Sequence, residues 1–115
     1  MKRLFLAVAI GVPAAALGWR AAVGQDANSL PAFTPEQIQA GAALYERNCA
    51  QCHGQHMVDP GGGYFDLRTF PPDRRARFVN SVTNGKNNMP PWRSVLTPED
   101  IDNLFAYVIA GEKGN

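Results

Sequence analysis

The sequence predicts a small all-α domain, and three observations carry that prediction. Two stretches, Thr34-Pro35-Glu36-Gln37 and Thr97-Pro98-Glu99-Asp100, have the same helix-start chemistry. Each sets a threonine at the N-cap, a proline at the first helical position and an acid or amide able to close a capping box. The apolar residues that follow each start recur at helical spacing. No alternating strand pattern surrounds the chain's only two cysteines. A length of 115 residues allows one domain.

Residues 1–24 fall outside that domain. Lys2-Arg3 form a positive front, Leu4 to Leu17 an apolar run ending in small residues, and cleavage fits after Gly18 or Gly24. This is the pattern of a secretory signal peptide, so the expected location is the periplasm. Retention as an anchor is the alternative, although the run is short for a bilayer span and contains Pro13. No other stretch is apolar for long enough to insert stably in a membrane. Residues 25–33 read as an exposed lead-in and 34–115 as the folded domain.

The first helix carries Ile38, Ala42, Tyr45 and Cys49 on one face, with Gly41 beside them. Glycine there costs about 1 kcal/mol of helix propensity, and its physical use is close approach by a second helix. The last helix has the stripe Ile101, Leu104, Phe105 and Val108, stopped by Gly111. Between them, Gly54 to Phe70 lacks a sustained period and reads as a loop. A middle helix is expected from about residue 73 to 84, with Phe78, Val79 and Val82 inward and Arg74, Arg75 and Arg77 mainly outward. Asn84-Gly85 ends it, and a second loop from Lys86 to Leu96 contains Met89-Pro90-Pro91-Trp92.

The chemistry concentrates in Cys49-Ala50-Gln51-Cys52-His53. C-x-x-C-H is the attachment pattern of a c-type haem: two thiols at this spacing can form thioethers to the vinyl groups, and the adjoining imidazole can reach the iron. Other readings of the same residues are a thioredoxin-like redox pair, a short-loop disulfide, or a zinc site recruiting His56. An iron–sulfur cluster lacks cysteines. For a haem, His53 leaves the sixth iron position open, and a methionine thioether suits it. Met1 leaves with the leader, and Met57 is tethered four residues from His53. Met89 lies 36 residues on and can approach the opposite face.

With these residues the chain resembles the class I cytochromes c, through CAQCH, the later MPPW and the two capped terminal helices. The resemblance spans roughly residues 34–111. It implies a cytochrome c fold in which the first and last helices cross, Gly41 and Tyr45 meeting Leu104 and Tyr107. It also implies one covalently attached haem c and an axial methionine followed by proline, matched by Met89-Pro90. A proline carbonyl accepting from the ligating histidine maps to Pro60. Asn87 or Asn88 could donate to the Met89 sulfur, and Trp92 could pack at the haem edge. Arg93, Arg68 and Lys86 are candidate partners for the haem propionates. More narrowly, GGGYFDLRTFPP and NGKNNMPPW are similar to periplasmic cytochromes that accept electrons from pyrroloquinoline quinone alcohol dehydrogenases.

The function expected is therefore single-electron transport, with no enzyme turnover. The donor would be a redox protein such as that dehydrogenase, and the acceptor a terminal oxidase or another cytochrome. A carrier serving another dehydrogenase, a haem sensor or peroxidase-like module, and an exported thiol–disulfide protein are the rivals. Removal of residues 1–24 takes away three of the 11 basic residues and no acidic one, leaving eight against ten and a net charge of −2. That balance argues against a nucleic-acid partner, which calls for a concentrated basic surface.

Overall fold

The computed structural model describes residues 31–113 and the isolated Gly11. Apart from Gly11, the expected leader, with both cleavage positions, lies outside the described residues, as does most of the lead-in. Four α-helices form: α1 (Pro35–Asn48), α2 (Ala50–His53), α3 (Arg75–Asn84) and α4 (Pro98–Ala110). Among the described residues there are no strands, only one isolated bridge between Lys86 and Met89. The all-α expectation therefore holds.

Both capping boxes form as expected. The Gln37 N–H donates to Thr34 Oγ1 at 3.2 Å, and the Thr34 N–H donates back to Gln37 Oε1 at 3.0 Å. Thr97 and Asp100 repeat the exchange at 2.8 and 3.1 Å. Each pair satisfies two backbone donors that a helix start would otherwise strand.

Helix α1 crosses α4 at Gly41. A β-carbon on that glycine would lie 1.9 Å from the Asn103 carbonyl oxygen and 2.8 Å from Tyr107 Cβ. The backbones are in contact because one residue has no side chain. Beside the crossing, the Tyr45 and Tyr107 rings stand 5.2 Å apart, and both residues are buried with Leu104. Phe70, Phe78 and Phe105 then link the middle of the chain to α4, with ring centroids 5.3 to 6.4 Å apart. Edge-on pairs such as Phe70–Phe78 and Phe70–Phe105 suit the ring quadrupoles.

The segment from Gly54 to Phe70 contains more structure than its sequence suggests. It has two single-turn 3-10 helices, Gln55–Met57 and Leu67–Thr69. Asp66 caps the second one and forms a forked ion pair with Arg68, at 2.9 and 3.0 Å. The first is wound through Gly54, His56 and Met57, all at positive φ. Met57 consequently turns inward and is among the most buried side chains of the core.

Candidate haem site

Five pieces of chain surround a cavity of about 550 Å³, a size typical of cofactor sites, which run from roughly 300 to 1,000 Å³. One wall comes from Tyr45, Asn48, Cys49, Cys52 and His53 at the α1–α2 junction. Cys49 is both the C-cap of α1 and the N-cap of α2. The N–H groups of Cys52 and His53 donate to its carbonyl at 3.1 and 2.9 Å. That turn is what puts both thiols and the imidazole on a single wall.

A second part of the lining comes from the loop after α3. Gly85, at φ 78°, reverses the chain, and a β-carbon there would lie 2.6 Å from the Met89 carbonyl oxygen. Lys86 and Met89 exchange backbone hydrogen bonds at 3.0 and 2.9 Å, with Asn87 left-handed between them. The Trp92 N–H then donates to the Val82 carbonyl at 2.9 Å, fastening the loop to α3. Met89, Asn87, Asn88 and Trp92 all line the cavity. No hydrogen bond joins either asparagine to the Met89 sulfur. Leu104 and Val108 of α4 add apolar surface to the lining.

The electrostatics fit a covalently held iron cofactor. Burial pushes the Cys49 thiol up to about 12, and the neighbouring Cys52 adds to the shift. A reactive redox pair needs a depressed thiol, so the environment argues against thiol–disulfide chemistry. Burial also lowers the His53 pKa, while the Phe65 backbone carbonyl and the Asp59 carboxylate push it back up. The neutral imidazole thus favoured is the form that binds a metal. His53 Nδ1 is buried and makes no full hydrogen bond.

Several expected neighbours are elsewhere. Pro60, the expected acceptor for His53, is exposed and its ring packs near Gly54; the backbone carbonyl acting on the imidazole is that of Phe65. Arg93 is exposed, outside the cavity lining, with Nη1 3.3 Å from Asn84 Oδ1. Arg68 is likewise outside the lining, on Asp66. His56 lies exposed in a separate shallow groove with Glu46, so no zinc site assembles with the cysteines. Among the described residues no group of three His, Cys, Asp or Glu is placed to hold a metal.

Tyr64, Phe65 and Arg77 line the cavity without having been expected there. The Tyr64 ring sits 5.8 Å from His53. Arg77 carried one usable signal. It directly precedes inward-facing Phe78 and stands one helical turn before Ser81, which is also in the lining.

Sequence comparison matches residues 36–108 to the family described as cytochrome c oxidase, cbb3-type, subunit III. A cytochrome c6 from a Nostoc species is 32% identical over 113 residues, covering 95% of this chain and 93% of that protein. The chain belongs to the class I c-type cytochromes. The quinohemoprotein alcohol dehydrogenase ADH-IIG of Pseudomonas putida is 39% identical over 74 residues, 63% of this cytochrome. The cytochrome spans only about a tenth of that enzyme's length. The solved structure of that enzyme superposes with a TM-score of 0.59 at 36% identity, covering 68% of the cytochrome and 12% of the enzyme. Cytochrome c6 from the diatom Phaeodactylum tricornutum gives a TM-score of 0.54 at 29% identity, covering 64% and 91%. The cytochrome carries one covalently bound haem c and serves as an electron carrier. Among the described residues no helix is long and apolar enough to cross a membrane.

Proposed function

We propose that this cytochrome is exported to the periplasm behind a leader formed by residues 1–24 and carries single electrons from a pyrroloquinoline quinone alcohol dehydrogenase toward the respiratory chain. The observation that carries the reading is the cavity itself, where Cys49, Cys52 and His53 share their lining with Met89. Cys49 and Cys52 hold the haem by thioethers. His53 would supply an imidazole nitrogen to the iron and Met89 a thioether sulfur. The haem contributes a reversible one-electron couple. Methionine and histidine ligation would raise its potential and leave no position for a substrate. The protein's task is therefore to fix the ligands, exclude water and expose an edge to partners through a small, transient interface. The Phe65 carbonyl is the acceptor that orients His53, an arrangement that sets ring direction and ligand basicity in metal sites.

The donor assignment is supported by similarity to quinohemoprotein alcohol dehydrogenases and to a 1-butanol dehydrogenase (cytochrome c) from Thauera butanivorans, 31% identical over 80 residues. A second reading, delivery to a terminal oxidase, draws on the matched family's description. It also draws on the CcoP subunit of Rubrivivax gelatinosus, 33% identical over 92 residues.

Three experiments separate the levels of the proposal. A reduced, denatured haemochrome spectrum of matured protein tests thioether attachment. In M89A, a lower potential and ready carbon monoxide binding are expected, and spectra unchanged from wild type would remove Met89 from the iron. Stopped-flow mixing with a reduced quinoprotein alcohol dehydrogenase then tests the donor. Failure to reduce the intact cytochrome would discard that donor and leave the carrier assignment standing.

A further inference from the structure

The start of α3 carries three arginines, and two have carboxylate partners. Arg74 lies 3.7 Å from Asp73, and Arg75 pairs with Asp102 on α4. Among the described residues Arg77 has no such partner. Its guanidinium stands instead 5.3 Å from the Phe65 ring centroid and 5.0 Å from that of Phe70. Phe70 is buried and Phe65 half-exposed. Attraction of the cation to both rings holds a planar group at the cavity wall.

The cavity lining has a one-sided charge. It includes Arg77 and Lys86 and no Asp or Glu. Arg77 is itself exposed, so water solvates it where no haem is present, and the lining offers no carboxylate to pair with it. Covering it with a haem would call for an anion beside it. Haem c brings two carboxylates of its own.

We infer that Arg77 pairs with a haem propionate, fixing the orientation of the ring in the cavity and holding a positive charge beside the iron. Its fork suits a carboxylate, and clamping by two phenylalanines pre-orients it. Lys86, exposed and flexible, is left for the second carboxylate or for solvent. The inference rests on the haem seating in this cavity, as proposed above.

Losing a positive charge near the iron stabilises the ferric state. At a fixed ambient potential the ferric-to-ferrous ratio of R77M should rise on the order of three- to tenfold, the size expected for one partly screened charge. R77K should stay within about twofold of wild type. Methionine keeps an apolar stem against Phe65 and Phe70, so a purely structural clamp would leave the ratio unchanged in both variants. Equal ratios in all three proteins would overturn the inference.

A measurement on the wild-type holoprotein covers the case in which R77M fails to mature. In ferrous protein carrying ¹⁵N-arginine, the Arg77 Nε–H should show a nuclear Overhauser contact to a propionate methylene. If Leu104 and Val108 contact the ring but Arg77 does not, the role of Arg77 falls and the site stands. If none of the three reaches the ring, the seating of the haem falls with it.

Discussion

Where α1 crosses α4 at Gly41, backbone meets backbone. The space above Gly41 is filled by the Asn103 carbonyl, and Tyr45 and Tyr107 pack ring against ring. Across the domain, the cavity wall is built from groups with work left over. Cys52 is exposed with its thiol free, and Arg77 has no carboxylate among the described residues. The crossing completes itself from the chain's own atoms, whereas the cavity leaves bonds for a cofactor to make. A domain this short buries only a limited core without help, so the haem is a structural component as well as the redox centre.

That contrast is tested most severely by withholding the haem. Chain matured without it should lose the cooperative thermal transition of the holoprotein. In hydrogen exchange, protection should survive longest in α1 and α4 and vanish first over residues 85–93. A haem-free protein melting as sharply as the holoprotein would erase the distinction between the two regions.

The opposite break is Gly41→Ala. The added methyl would fall 1.9 Å from a backbone oxygen, which no side-chain rotation relieves, so the helices must separate. Overpacking typically costs about 1–3 kcal/mol and occasionally more; a backbone clash places this substitution at about 3 kcal/mol or beyond. In a domain of this size the melting temperature should drop by roughly 12 °C or more. The visible spectrum of surviving folded protein should stay that of wild type, because the crossing makes no bond to iron.

The two regions also differ in how legible they were. The crossing is specified by short-range chemistry: caps act over three residues, stripes repeat every turn, and Gly41 announces a close approach. Cys49, Cys52 and His53 are equally local, and Met89 follows from needing distance along the chain. The contents of the remaining wall depend on how 17 residues without periodicity, Gly54 to Phe70, travel through space. Positive φ at His56 and Met57 turns that path, and no sequence rule anticipates two consecutive left-handed non-glycine residues. Met57 therefore enters the core, Pro60 stays outside, and the Phe65 carbonyl faces His53. The pairing of Arg68, Arg74 and Arg75 with Asp66, Asp73 and Asp102 likewise depends on the folded path.

A smaller effect probes the bond that joins the two regions. The Tyr45 hydroxyl donates to the Gly54 carbonyl at 2.7 Å in a buried setting. Burial raises the Tyr45 pKa, so the donor proton stays in place at neutral pH. Tyr45→Phe keeps the ring against Tyr107 and strands the carbonyl at the end of α2. A cost of about 1–3 kcal/mol is expected for an unsatisfied buried acceptor, read from denaturant unfolding of the holoprotein. Since Gly54 directly follows His53, resonances of the His53 imidazole should also shift. A variant as stable as wild type would mean that water replaces the hydroxyl.

The mildest test lies at the start of α4, whose Thr97 and Asp100 are outside the cavity lining. Asp100 is held below its ordinary carboxylate pKa, first by the Thr97 backbone N–H and then by the Thr97 hydroxyl. A carboxylate with a depressed folded-state pKa adds stability above its unfolded value, about 3.9. That contribution is lost as the pH falls through the lower folded value. Asp100→Asn retains an acceptor for the capping bond but cannot be protonated in this range. Wild type should therefore lose more melting temperature than D100N between about pH 5 and pH 2. Because the carboxylate is exposed and only this capping bond is at stake, the difference should be small. Parallel acid profiles would show that Asp100 does not contribute to acid stability. The iron spectrum of D100N should match wild type throughout, since this helix start belongs to the part of the fold that protein atoms complete alone.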